Sequence, residues 1–293
     1  MKLQLNRLKL QITAALGGAV MKCPRVLVAL FGRKKTIRPF KNFYAEWIET
    51  LRTTLLPVLR QSMSSNSPHH LLPTHVDTVH THFQSYYAAL DLAASSHNDV
   101  AQLLYPDHRN PLESPFLWLG DLHPYLFTNL LRSFLNDDND DFDLKESGER
   151  LDLGLSGRDW NVVTAWGSPS TGLTSRVEQI ECGLRLMVPA ISARFRDAQK
   201  GFVERVGAEW GRSEREEGAK GWIEEALEAE MDEMTGVFLD ANRLRRSVLS
   251  DIMGATSVYQ AALFLEGLAQ FVVGLRDHEL LGQFERCKMV INS

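Results

Sequence analysis

The sequence predicts an all-α protein, a bundle of long amphipathic helices. Apolar residues recur at spacings of three and four through successive windows, the mark of one buried helix face. No convincing run of strands appears, and polar, glycine- and proline-bearing stretches separate the periodic windows. With 293 residues and 44% hydrophobic content the chain can bury one large core or two modest ones.

Residues 1–36 form a basic N-terminal arm. Ten Lys and Arg precede Glu46, the first acid, although the whole chain carries a net charge of −5. Three readings stay open for this arm: a targeting peptide, a basic segment against anionic lipid, or an extension without structural role, Met21 being a second start. The apolar run at 12–21 holds about ten residues with Gly17 and Gly18, well short of the ~20 that span a bilayer. Cys23, Cys182 and Cys287 are odd in number and far apart, so they build no disulfide framework and fit a reducing compartment.

The helical domain is expected over 37–280, with 281–293 as a C-terminal tail. Phe40, Phe43, Tyr44, Trp47, Ile48, Leu51, Leu55 and Leu59 predict the first helix. A polar linker at 61–70 precedes a second, opened by Pro73 and Thr74 and continued by Val76, Val79, Phe83, Tyr86, Tyr87 and Leu90. A short apolar piece at 100–104 ends before Pro106. Phe127, Leu130, Leu131, Phe134 and Leu135 then make one face of a helix, opposite Thr128, Arg132 and Ser133. Residues 136–152 hold eight acids against Lys145 and Arg150 and read as a solvated acidic loop.

Periodicity resumes through Val177, Ile180, Leu184, Met187, Val188 and Ile191, where Pro189 is expected to kink or divide the helix. The longest helix is expected from near Gly221 to Val248, broken only by Glu230 and about 40 Å long. A final helix runs from Ser257 through Leu275.

Candidate chemistry is sparse. His69, His70, His75, His80 and His82 lack the i, i+4 spacing of metal ligands on a helix and read as solvated or partner-facing. Asp137, Asn139 and Asp141 match the opening of a calcium loop, but Phe142 and Gly148 stand where its glycine and closing glutamate belong. Residues 161–175 imitate a phosphate loop, a β-like run and then Gly167 to Gly172, with Leu173 in place of the lysine. There the plainer reading is a loop whose Thr174 caps the next helix. No metal and no cofactor is expected.

The stretch "WLGDLHPYLFTNLLRSFL" at 118–135 carries the one acid–base candidate, Asp121 with His123. No nucleophile setting accompanies it, and residues two apart point in different directions. Pro124 suits the first position of the helix, where its missing N–H costs no hydrogen bond. Asp121 is then expected to accept from a free N–H or to favour the positive helix end. No catalytic residue follows.

"FKNFYAEWIETL", "HFQSYY", "NPLESPFLWLGDLHPYLFTNLL" and "ANRLRRSVLSDIMGATSVYQAALFLEGLAQFVVGL" occur in the order and spacing of the plant delay-of-germination domain. The chain is similar to that family over about residues 40–276. The domain is also the C-terminal half of TGA-type bZIP transcription factors, and the wording at 118–135 most resembles the branch that shapes pollen apertures. That resemblance implies a non-enzymatic helical adaptor that marks plasma-membrane domains protected from exine deposition.

The expected partners are a receptor-like kinase or a related delay-of-germination protein, alongside a homo-oligomer. Trp118, Gly120, Asp121, His123 and Pro124 are the partner-binding candidates, and Arg33, Lys34, Lys35, Arg38 and Lys41 the membrane-contact candidates. The protein is expected in the cytoplasm and peripherally at the plasma membrane. Pairing with TGA-type factors, and hence a nuclear location, is the alternative. A basic region followed by a leucine zipper is absent from residues 1–39, so direct DNA binding is not expected. Haem does not carry over either, since the C-terminal region offers only His278 as an axial histidine.

Overall fold

The computed structural model describes residues 40–95, 100–135, 157–213 and 219–291. The arm at 1–36, with Arg33, Lys34 and Lys35, the neighbouring Arg38, and the acidic loop at 136–152 lie outside the described residues.

Helix α1 (Phe40–Thr50) buries Tyr44, Trp47 and Ile48 and continues through a π-helical turn (Leu51–Leu55) into α2 (Leu56–Ser62). Pro57 explains the wide turn. Its ring would crowd the carbonyl four residues back in a regular helix, and the π turn opens that ladder, with the Leu56 N–H reaching back to the Leu51 carbonyl. A 3₁₀ turn (His69–Leu71) leads into α3 (Leu72–Ser95), which buries Val76, Val79, Phe83, Tyr86, Tyr87 and Leu90 as its spacing predicts. Helix α4 (Val100–Leu104) follows, and then a two-residue antiparallel ribbon, β1 (Leu117–Trp118) against β2 (Asp121–Leu122), which periodicity alone did not foresee.

Helix α5 (Tyr125–Leu135) turns Phe127 and Leu131 inward. Thr128, placed by its polarity on the outer face, is buried instead and donates its hydroxyl to the Tyr125 carbonyl. Part of the stretch at 161–175, read as a loop with a β-like opening, falls in the short helix α6 (Trp160–Val163), capped by the Asp159 side chain on the Asn161 N–H. Helix α7 (Thr171–Ser213) is capped by Ser170, whose hydroxyl accepts from Leu173 N–H, in place of the expected Thr174.

Pro189 does not divide α7, which at 43 residues is longer than α8 (Ala219–Ala255), the element expected to be longest. Nor does Glu230 interrupt α8; its side chain is buried with Arg205 at 3.7 Å. Helix α9 (Val258–Gly274) begins with a reciprocal capping box between Ser257 and Gln260 and is buried almost all round. It packs against α2, α3, α5 and α6, so the core is built around it. Residues 278–291 add a helix, α10 (His278–Ile291), across the span assigned to the tail. Among the described residues no single helix is long and apolar enough to cross a membrane.

Two arginines meet on one buried carboxylate of α9. Arg158 makes two bonds to the buried Glu266 of α9, at 2.7 and 2.9 Å, and Arg60 reaches the same carboxylate at 2.8 Å. The backbone beside Arg158 is tied to the end of α2, with Asp159 N–H on the Met63 carbonyl and Ser65 N–H on that of Gly157.

Candidate interaction site

The ribbon turns on Leu119 and Gly120, both left-handed, with φ of +46° and +83°. A two-residue turn of this kind matches the twist of its strands, and an l-leucine there is strained by roughly 1–2 kcal/mol. Gly120 has a second reason: a β-carbon at that position would lie 2.0 Å from the Leu103 carbonyl oxygen of α4. The turn is pressed onto α4 by its own backbone.

Arg245 of α8 holds the turn from inside the fold. Fully buried, it donates to the carbonyl oxygens of Trp118, Asp121 and Leu122 and to the Asn242 side chain. Its guanidinium also lies over the Trp118 ring, 5.3 Å from the centroid. Burial pulls its pKa below the usual arginine value, and the Asp121 charge opposes that pull. The Trp118 indole N–H donates to Ser192 Oγ of α7 at 3.0 Å. The tryptophan therefore ties α7 and α8 to the ribbon.

Asp121 is 1% exposed, and its carboxylate points into the bundle, where Oδ1 accepts from Arg109 at 2.5 Å and from the Tyr86 hydroxyl at 3.1 Å. It is an ion-pair partner in the core, not the helix cap that its place in the sequence suggested. The capping is done by His123, whose Nδ1 accepts from the Tyr125 N–H at 3.3 Å. Burial, and then the Arg245 charge, lower the His123 pKa below the usual histidine value.

Arg109 extends the network to Glu113 at 3.0 Å and to the Tyr44 and Tyr86 hydroxyls. Glu113 also accepts from Tyr44, the Asn110 N–H and Arg276. Burial pushes the Glu113 carboxyl up, but Arg109, Tyr44 and the other donors outweigh it and leave the pKa low.

Of the partner-binding candidates, Asp121 and Pro124 are thus buried, while Trp118, Gly120 and His123 are half-buried along one edge. Among the membrane-contact candidates only Lys41 is described, exposed at the start of α1. His82, read as solvated or partner-facing, stacks on Trp47 at 4.8 Å and exchanges hydrogen bonds with it. No group of three metal-ligating side chains occurs among the described residues.

Arg245, Arg109 and Glu113 are the residues that sequence reasoning missed. One signal for Arg245 existed: it falls in helical register with Phe238, Leu249 and Ile252, all buried. Its charge hid its place in the core.

The seed dormancy control family (DOG1) matches residues 55–133, which include the whole ribbon. A second match spans far more: Protein INAPERTURATE POLLEN1 of Arabidopsis thaliana is 47% identical over 267 residues, 88% of this chain and 97% of the relative. The chain belongs to the inaperturate pollen family. The Protein INAPERTURATE POLLEN 1 homolog of Oryza sativa subsp. japonica is 38% identical over 258 residues, 86% of this chain and 90% of that relative. The inaperturate pollen match therefore reaches well beyond the dormancy-type match at 55–133.

Proposed function

We propose that this chain is a non-enzymatic adaptor required for pollen aperture formation, marking plasma-membrane domains that are then protected from exine deposition. The identity of 47% along nearly the whole length of the Arabidopsis relative carries the aperture reading. The adaptor reading draws support from the chemistry at 118–124. Asp121 is committed to Arg109 and Tyr86, and His123 to a helix end, so neither is poised against a reacting group.

In this reading a receptor-like kinase or a related delay-of-germination protein docks along the half-buried edge at Trp118 and His123. Arg33, Lys34, Lys35, Arg38 and Lys41 meet anionic lipid, each gaining about 1 kcal/mol near such a surface. One patch of that size is marginal alone, so a membrane-bound partner completes the recruitment.

Disrupting the gene in its own plant is expected to give pollen without apertures; normal apertures in a verified null overturn the reading. A complementing fluorescent fusion is expected at the plasma membrane beneath aperture sites. A signal confined to the nucleus would replace the membrane role by pairing with TGA-type factors.

A further inference from the structure

The ion pair beneath the ribbon leaves two atoms open. The side chains of Arg109 and Asp121, 4% and 2% exposed, meet through one bond, Nη2 to Oδ1 at 2.5 Å. The Arg109 Nε–H and the Asp121 Oδ2 are buried and have no partner in the protein. In a guanidinium, Nε–H and one Nη2–H point the same way, side by side, and match the two oxygens of a carboxylate. One tine of that fork is closed here and the other is open.

The side chains do not close it by themselves. Oδ1 is also held by the Tyr86 hydroxyl at 3.1 Å, while Arg109 Nη1 is held by Glu113 at 3.0 Å and by the Tyr44 hydroxyl at 2.6 Å. Swinging Oδ2 onto Nε would lengthen these bonds. A cavity lies against the pair, lined by Arg109 and Asp121 and walled by Trp47, Phe83, Phe127 and Val272 among others. It gives the centre of a guest molecule about 10 Å³, which is room for one water and for nothing larger. The charges select the same occupant. A cation there would meet Arg109 and an anion would meet Asp121, whereas a neutral molecule that both accepts and donates suits the two open atoms together.

We propose that this cavity is a binding site for one structural water, which accepts from Arg109 Nε–H and donates to Asp121 Oδ2. The inference rests on the core and is independent of the aperture reading. The water completes the fork and so joins the connection after α4 to the ribbon. Ordering one water costs less than leaving two charged groups each short of a bond in a buried site.

A crystal structure of the full chain, at a resolution that shows ordered water, is expected to place one within hydrogen-bond distance of both atoms. A direct bond from Nε to Oδ2, or an empty cavity, overturns the proposal. In solution, oxygen-17 relaxation dispersion counts the waters held for longer than the protein takes to tumble. Val272 is buried on the cavity wall, and Val272→Ile adds a methyl group there. This variant is expected to hold one long-lived water fewer than the wild-type chain, with a cooperative urea transition whose midpoint is lowered. An equal count in the two chains overturns the proposal, and so does a raised midpoint, the result of filling a dry apolar gap.

Discussion

Gly120 and Arg245 fix one turn from two sides, and each tolerates little change. Gly120→Ala places a methyl against the Leu103 carbonyl at a backbone φ of +83°, and a loss of more than about 2 kcal/mol is expected, read from the urea midpoint. His108 gives the turn's surroundings a pH dependence. Burial, then Arg109 and Arg276, hold its pKa down to about 4 from the usual 6.5. The unfolded chain therefore takes up a proton first, and stability is expected to fall as pH drops from 6.5 towards 4. The pKa values of His80, His82 and His123 are also lowered and act in the same direction. Below that window the depressed Glu113 adds a further loss. His108 packs on Phe40 and Tyr44, so His108→Phe keeps an aromatic ring there and is expected to flatten the curve of urea midpoint against pH. The residue types at 118–124 were legible in the sequence, but the direction of Asp121 was not, because Arg109 and Tyr86 reach it from other elements.

Helices proved readable wherever one face is apolar and the ends carry recognised caps, as in α3 and α9. Reading failed where tertiary contact overrides a local rule. Pro189 lacks the N–H that a helix interior needs, yet α7 passes through it, held on either side by the buried Leu184, Val188 and Ile191. Because Pro189 is exposed, Pro189→Ala loses no packing and is expected to raise stability by about 2 kcal/mol, seen as a higher melting temperature. The ribbon was invisible for another reason. Two residues per strand are too few for alternation to register, and its carbonyls are satisfied largely by an arginine from α8.

At the scale of the molecule, burial is uneven along the longest helix. The first part of α7 sinks Leu173, Val177, Ile180, Leu184, Val188 and Ile191 into the fold, whereas no side chain from Ser192 to Ala208 is buried. Amide hydrogen exchange is expected to be markedly faster over 192–208 than over 173–191; equal protection would show that another contact covers the distal part. The all-α class was plain from periodicity, but the arrangement around α9 depends on pairings between distant segments that a single sequence does not display.

Arg245 has a consequence for the order in which the protein is made. Its bond to the Leu122 carbonyl spans 123 residues, and its own position lies far past the family match at 55–133. On the ribosome the turn emerges and waits, its inward carbonyls unmet, until α8 has been synthesised. The stretch matched at 55–133 is thus completed by a helix that lies outside it. Residues 40–135 made alone are expected to show no cooperative thermal transition by circular dichroism, and a sharp one would mean that the nascent chain completes its first half unaided.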